Sequence, residues 1–188
     1  MEAFLVSIVV VAVSEIGDKT QLLALVLAAR LRKPLPIVLG ILVATLFNHT
    51  LAGLVGAWVR AVVPAPHLRW LIGASFFAVA LWALRPDHLD AERAPSSKWG
   101  AFVVTSSAFF LVEMGDKTQI ATAVLAAQFG NLAAVVAGTT IGMLIADVPA
   151  VLLGSAAAVR VPMKLVRYVA AGLFAVLGLV ALLVPVSG

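Results

Sequence analysis

Glu15-Ile16-Gly17-Asp18-Lys19-Thr20-Gln21 and Glu113-Met114-Gly115-Asp116-Lys117-Thr118-Gln119 are two copies of one phrase, 98 positions apart, each set inside an apolar stretch. Three charges per copy are expensive in such surroundings, and an ionisable residue within an apolar span marks a functional site by default. The phrase decides the fold because its neighbours repeat at the same offset. Phe4 matches Phe102, Gly40 matches Gly138, Gly56 matches Gly154, Pro64 matches Pro162, Arg69 matches Arg167 and Phe76 matches Phe174. The chain is an internal duplication.

Composition identifies the solvent. Of 188 residues, 63% are hydrophobic and only 12% charged, with a mean hydropathy of +1.12. A soluble domain carries about 25% charged residues, so this chain has too little polar surface to face water. Several of its apolar runs approach the ~20 residues that cross a bilayer. The expectation is an all-α polytopic membrane protein with six transmembrane helices, near 3–29, 36–60, 68–84, 100–128, 132–157 and 166–184. Residues 1–84 form a first three-helix repeat, 85–99 a polar linker and 100–188 a second repeat. An odd number of spans per unit forces the second to insert upside down. Inverted repeats of this kind recur in secondary transporters, whose sites lie near mid-membrane at the repeat interface.

Loop charge sets the orientation. The loops after spans one, three and five carry Arg30, Arg32, Lys33, Arg85, Arg93, Lys98, Arg160, Lys164 and Arg167, against Arg60 and Arg69 on the other side. Nine against two predicts that the first set is cytoplasmic and that both termini lie outside the cytoplasm. The net charge of +4 follows from these loops and does not point to nucleic acid. Met1-Glu2-Ala3-Phe4 enters apolar sequence without a basic leader, so no cleaved signal peptide is expected. With no cysteine there are no disulfides, thiolate ligands or thiol nucleophiles. No P-loop, dinucleotide fingerprint or zinc-protease motif is present.

Within each phrase the acids are three residues apart, which on a regular helix puts them on one face, with Lys and Gln flanking and Thr pointing away. Gly17 and Gly115 lie between the acids and give the helix a place to unwind. Inversion would bring the two faces together, so that Glu15, Asp18, Glu113 and Asp116 surround one cavity. All-oxygen coordination suits hard divalent ions. The four acids carry −4 when ionised and Lys19 with Lys117 reduces that to −2, which a divalent ion neutralises. Crowded, buried carboxylates also take protons when no metal is present, so exchange of metal for protons follows.

Other readings stand beside this one. Glu15–Lys19 and Glu113–Lys117 have the i,i+4 spacing of structural ion pairs. The chain would then be a membrane scaffold, or a carrier of another inorganic or organic cation. An intramembrane hydrolase has no evident nucleophile–base pair. His49 and Asp147 occupy equivalent positions, with Asn48 beside His49. All three are candidates for ligands, proton carriers or interhelical hydrogen bonds. Asp147-Val148-Pro149 also suggests a kink. Gly138-x-x-x-Gly142 reads as close helix packing, and Trp70, Trp99 and Tyr168 as interfacial anchors.

The paired Glu-x-Gly-Asp-Lys-Thr phrases, one per three-span half, resemble the signature of the calcium:cation antiporter-2 family, which includes Golgi manganese and calcium transporters and bacterial manganese exporters. Both copies match without departure, and the likeness spans essentially the whole chain. It implies transport of Mn²⁺ or Ca²⁺ across a membrane against protons, with no cofactor and no enzymatic activity, and for a bacterial member chiefly manganese export. Glu15, Asp18, Glu113 and Asp116 match the acids implicated in cation binding. Thr20, Gln21, Thr118 and Gln119 would be supporting ligands. Lys19 and Lys117 would balance charge or occupy the empty site. The short linker fits a bacterial inner-membrane protein better than an organellar one.

Overall fold

The computed structural model describes residues 1–86, 100–153 and 163–184. It is helical throughout these segments, with eight helices: α1 (Glu2–Glu15), α2 (Lys19–Leu31), α3 (Pro34–Val62), α4 (Ala65–Ala83), α5 (Gly100–Glu113), α6 (Lys117–Phe129), α7 (Leu132–Leu153) and α8 (Met163–Leu183). Most of the expected linker, together with Arg93, Lys98, Trp99, Gly154, Arg160 and Pro162, lies outside the described residues.

Three helical stretches, Pro34–Val62, Leu132–Leu152 and Lys164–Leu183, are long and apolar enough to cross a membrane. The stretches expected at 3–29 and 100–128 differ from the rest. Each is two helices broken at the charged phrase. At 1.5 Å per residue, the 14 residues of α1 or α5 reach only about 21 Å, short of a hydrocarbon core of about 30 Å. Each needs the helix that follows it to complete a crossing.

The break has a local cause. Ile16 has φ −59° and ψ 117°, Gly17 has φ 75°, and the Asp18 amide donates to the Glu15 carbonyl at 3.0 Å. That is a type II turn, whose third residue needs positive φ and therefore glycine. Gly115 has φ 78°, and the Asp116 amide donates to the Glu113 carbonyl at 3.0 Å. Helix α7, by contrast, runs through Pro149.

Packing is dominated by contacts between the halves. Helix α1 packs on α7, α5 on α3, α6 on α3, α2 on α7 and α4 on α8. Small residues let the backbones approach. A Cβ on Gly40 would lie 2.8 Å from the Thr105 Cβ and 3.0 Å from the Phe102 carbonyl oxygen. A Cβ on Gly138 would meet the Phe4 carbonyl oxygen at 2.5 Å and the Ser7 Cβ at 2.8 Å. Phe4 and Phe102 are equivalent positions, as are Ser7 and Thr105, so one crossing occurs twice with the halves exchanged. Phe76 and Phe174, also equivalent, stack on each other between α4 and α8.

Two buried apolar clusters make up the core. One joins Leu27, Ile37, Ala101, Val104 and Val151, where α2 meets α3. The other joins Ala3, Leu68, Leu125, Val135 and Ala181 where α3 meets α4, and continues along the α4–α8 pair through Phe76, Ala83 and Ala170. Trp58, Trp70 and Tyr168 are exposed, as interfacial anchors must be.

Candidate functional site

Each turn places its acids by construction. Glu15 and Glu113 are the last residues of α1 and α5, and Asp18 and Asp116 are the N-caps of α2 and α6. The acids therefore do not share one regular helical face; the helix is broken at Gly17 and Gly115, the alternative that the glycines left open. Neither Asp caps its own helix through its side chain. The positive ends of α2 and α6 nevertheless point into the region where the negative charge gathers.

The motif's polar residues hold the turns. Gln21 accepts the Gly17 amide on Oε1 at 2.9 Å and donates from Nε2 to the Ala146 carbonyl at 2.9 Å, which ties the first turn to α7. Gln119 accepts the Gly115 amide at 2.7 Å. Thr20 donates its hydroxyl to Glu15 Oε2, and Thr118 donates to Glu113 Oε2 at 3.2 Å. The threonines thus face the acids, because the helix breaks at the turn.

The lysines reach across. Lys19 Nζ lies 2.9 Å from Asp116 Oδ1, and Lys117 Nζ lies 2.8 Å from Asp18 Oδ1. These are reciprocal bridges between the halves. The i,i+4 pairs of the alternative, structural reading are not what forms here, because the turn separates each Glu from the helix that carries its Lys.

With each Asp facing a lysine, the glutamates carry the uncompensated charge. Glu15, Glu113 and Asp116, all buried, each offer a carboxylate oxygen within 4.8 Å of the others. Glu15 Oε1 and Glu113 Oε1 are buried without a hydrogen-bond partner. Asp147 on α7 is fully buried, and neither of its oxygens has a hydrogen-bond partner. Asp18, Asp147 and His49 fall outside the 4.8 Å group among the described residues. His49 on α3 is buried with neither ring nitrogen hydrogen-bonded, while Asn48 donates to the Phe110 carbonyl at 3.1 Å.

Two residues absent from the sequence-based site lie next to it. Ser14, one residue before Glu15, and Arg167 of α8 line a small cavity beside Asp18 and Lys117. The pairing of Arg167 with Arg69 across the repeats was the available signal, although both had been assigned to loop charge.

A family model described as divalent cation/proton antiporter GDT1 matches residues 3–91 and 101–187. A Vibrio cholerae serotype O1 protein named "Putative manganese exporter" is 49% identical over 180 residues, covering 95% of this chain and 90% of its own length. A "GDT1-like protein" of Synechocystis is 31% identical over 195 residues, covering 93% of each chain. No solved structure matches the chain.

Proposed function

The chain belongs to the divalent cation/proton antiporter GDT1 family, and we propose that it exports Mn²⁺ across a bacterial inner membrane in exchange for protons. Its two three-helix repeats insert with opposite orientation and expose the acids to each side in turn. The observation that carries this reading is the buried group of carboxylate oxygens from Glu15, Glu113 and Asp116 within 4.8 Å of one another. Oxygens gathered this closely suit a bare hard cation and leave little room for an organic one.

The charge inventory supports exchange. Two glutamates with unpartnered oxygens share one dication or take one proton each, so two protons per ion keep the cycle electroneutral. Asp18 joins the site when Lys117 withdraws, and Asp147 relays protons or completes the coordination. Thr20 and Thr118 orient the glutamates, while Gln21 and Gln119 fix the turns. Asn48 and His49 support α3. Manganese is favoured over calcium by the name of the Vibrio relative, since oxygen ligands alone serve both ions.

The test is Mn²⁺ flux into proteoliposomes under an imposed pH gradient, with Ca²⁺ as competitor, for the parent protein and Glu113→Gln. The parent should move Mn²⁺ only with a proton gradient, and the variant should lose flux while eluting as a folded protein. A parent that moves no divalent ion, or a Glu113→Gln variant with full flux, refutes the proposal.

A further inference from the structure

The two halves are related residue by residue, but α4 and α8 do not pack equally at the two ends of the bundle. Helix α4 packs against α6, and α8 packs against α1. Both contacts belong to the end where α3 meets α4, within the apolar cluster of Ala3, Leu68, Leu125 and Ala181. Exchange of the halves would generate α8 against α2 and α4 against α5, at the opposite end. Among the described residues those two pairs are not packed to a comparable degree.

A cavity of about 20 Å³ lies there instead, enough for roughly one water molecule. Ser14, Asp18 and Lys117 form one wall, and Ala83 of α4 with Arg167 and Ala170 of α8 forms the other. The equivalents of Ala83 and Ala170 are Ala181 and Ile72. All four are buried in one apolar cluster that runs along the α4–α8 pair. Ile72 also lines an apolar cavity of about 200 Å³ against Gly56 and Ala123 at the other end, but no residue of the charged phrases lines that one, whereas Asp18 and Lys117 line the cavity at the α2–α3 end.

We infer that this cavity is the passage by which ions and protons reach the acids from the α2–α3 end, between the charged turn and the paired helices α4 and α8. Arg167 stands in its wall, and Arg69 takes the corresponding place when the opposite end opens. Ions pass the Asp18–Lys117 bridge first, so that bridge is the inner boundary of the passage in this state. The inference rests on the transporter reading but is tested without any transport measurement.

The natural absence of cysteine makes the test clean. Single variants Ala170→Cys, Arg167→Cys and Ile72→Cys are treated with a membrane-impermeant maleimide in vesicles of each orientation, with no metal added. Arg32→Cys, exposed where α2 joins α3, identifies the face. Maleimides react with thiols in water and not in lipid. The expected result is labelling of Ala170→Cys and Arg167→Cys from the face that labels Arg32→Cys, with Ile72→Cys unlabelled from that face. Each variant is checked by size-exclusion profile, and Arg167→Cys carries the test if Ala170→Cys misfolds. Failure of Arg167→Cys to label from that face, or equal labelling of Ile72→Cys, overturns the inference. Correct labelling with no Mn²⁺ flux would leave the passage standing and remove the proposed cargo.

Discussion

Replacing Lys117 by Met removes the cation held 2.8 Å from Asp18, between side chains 6% and 0% exposed. At an effective dielectric of about 20, two unit charges at that separation attract by about 6 kcal/mol. Desolvation offsets part of this, and removing one partner of a buried pair costs about 3–5 kcal/mol. The expected loss is therefore about 3–5 kcal/mol, or about 6–20 °C in the melting temperature of a chain this size. Lys19→Met should cost less, because the Lys19 side chain is 21% exposed and water already screens its bridge. The double variant Asp18→Asn/Lys117→Met removes both charges of the bridge and should recover most of the loss. The assay is unfolding of purified protein in detergent. Additive effects of Asp18→Asn and Lys117→Met, with no coupling, would refute the bridge.

Two further outcomes follow from the packing. Gly138→Ala sets a Cβ 2.5 Å from the Phe4 carbonyl oxygen, and overpacking against backbone should cost about 1–3 kcal/mol. Gly172→Ala, with nothing within 4 Å, should be neutral or slightly stabilising, and equal melting temperatures for the two variants would contradict the close crossing of α1 and α7. Arg60 donates to the Ala127 and Gln128 carbonyls at 2.9 Å each, at the end of α6. Arg60→Met should therefore cost about 1.5–3 kcal/mol and speed amide exchange around Gly130, and unchanged exchange there would rule the arginine out as a cap.

The helical membrane character was legible because periodicity and composition speak directly about solvent. The duplication was legible because a fixed offset needs no structure to see. The site was legible in membership but not in geometry. Glu15 and Asp18 read as one helical face because three residues span nearly one turn, yet Gly17 at the third position of a Glu-Ile-Gly-Asp turn breaks the helix. The clue was present in the glycine followed by an N-capping acid, and a long apolar run concealed it. Which lysine pairs with which acid was not legible, because both bridges join residues about a hundred positions apart. Asp147 was found as the equivalent of His49, but its complete burial without a hydrogen-bond partner depends on how α7 packs against α1.

The reciprocal bridges also bear on how the protein is made. Asp18 and Lys19 leave the ribosome almost a hundred residues before their partners Lys117 and Asp116. At roughly 5–20 residues per second of synthesis, the nascent first half waits about 5–20 s with both charges unmatched. Through that interval neither charge can form the bridge it makes in the finished bundle, so the first half reaches its final polar pairing only once the second has been made.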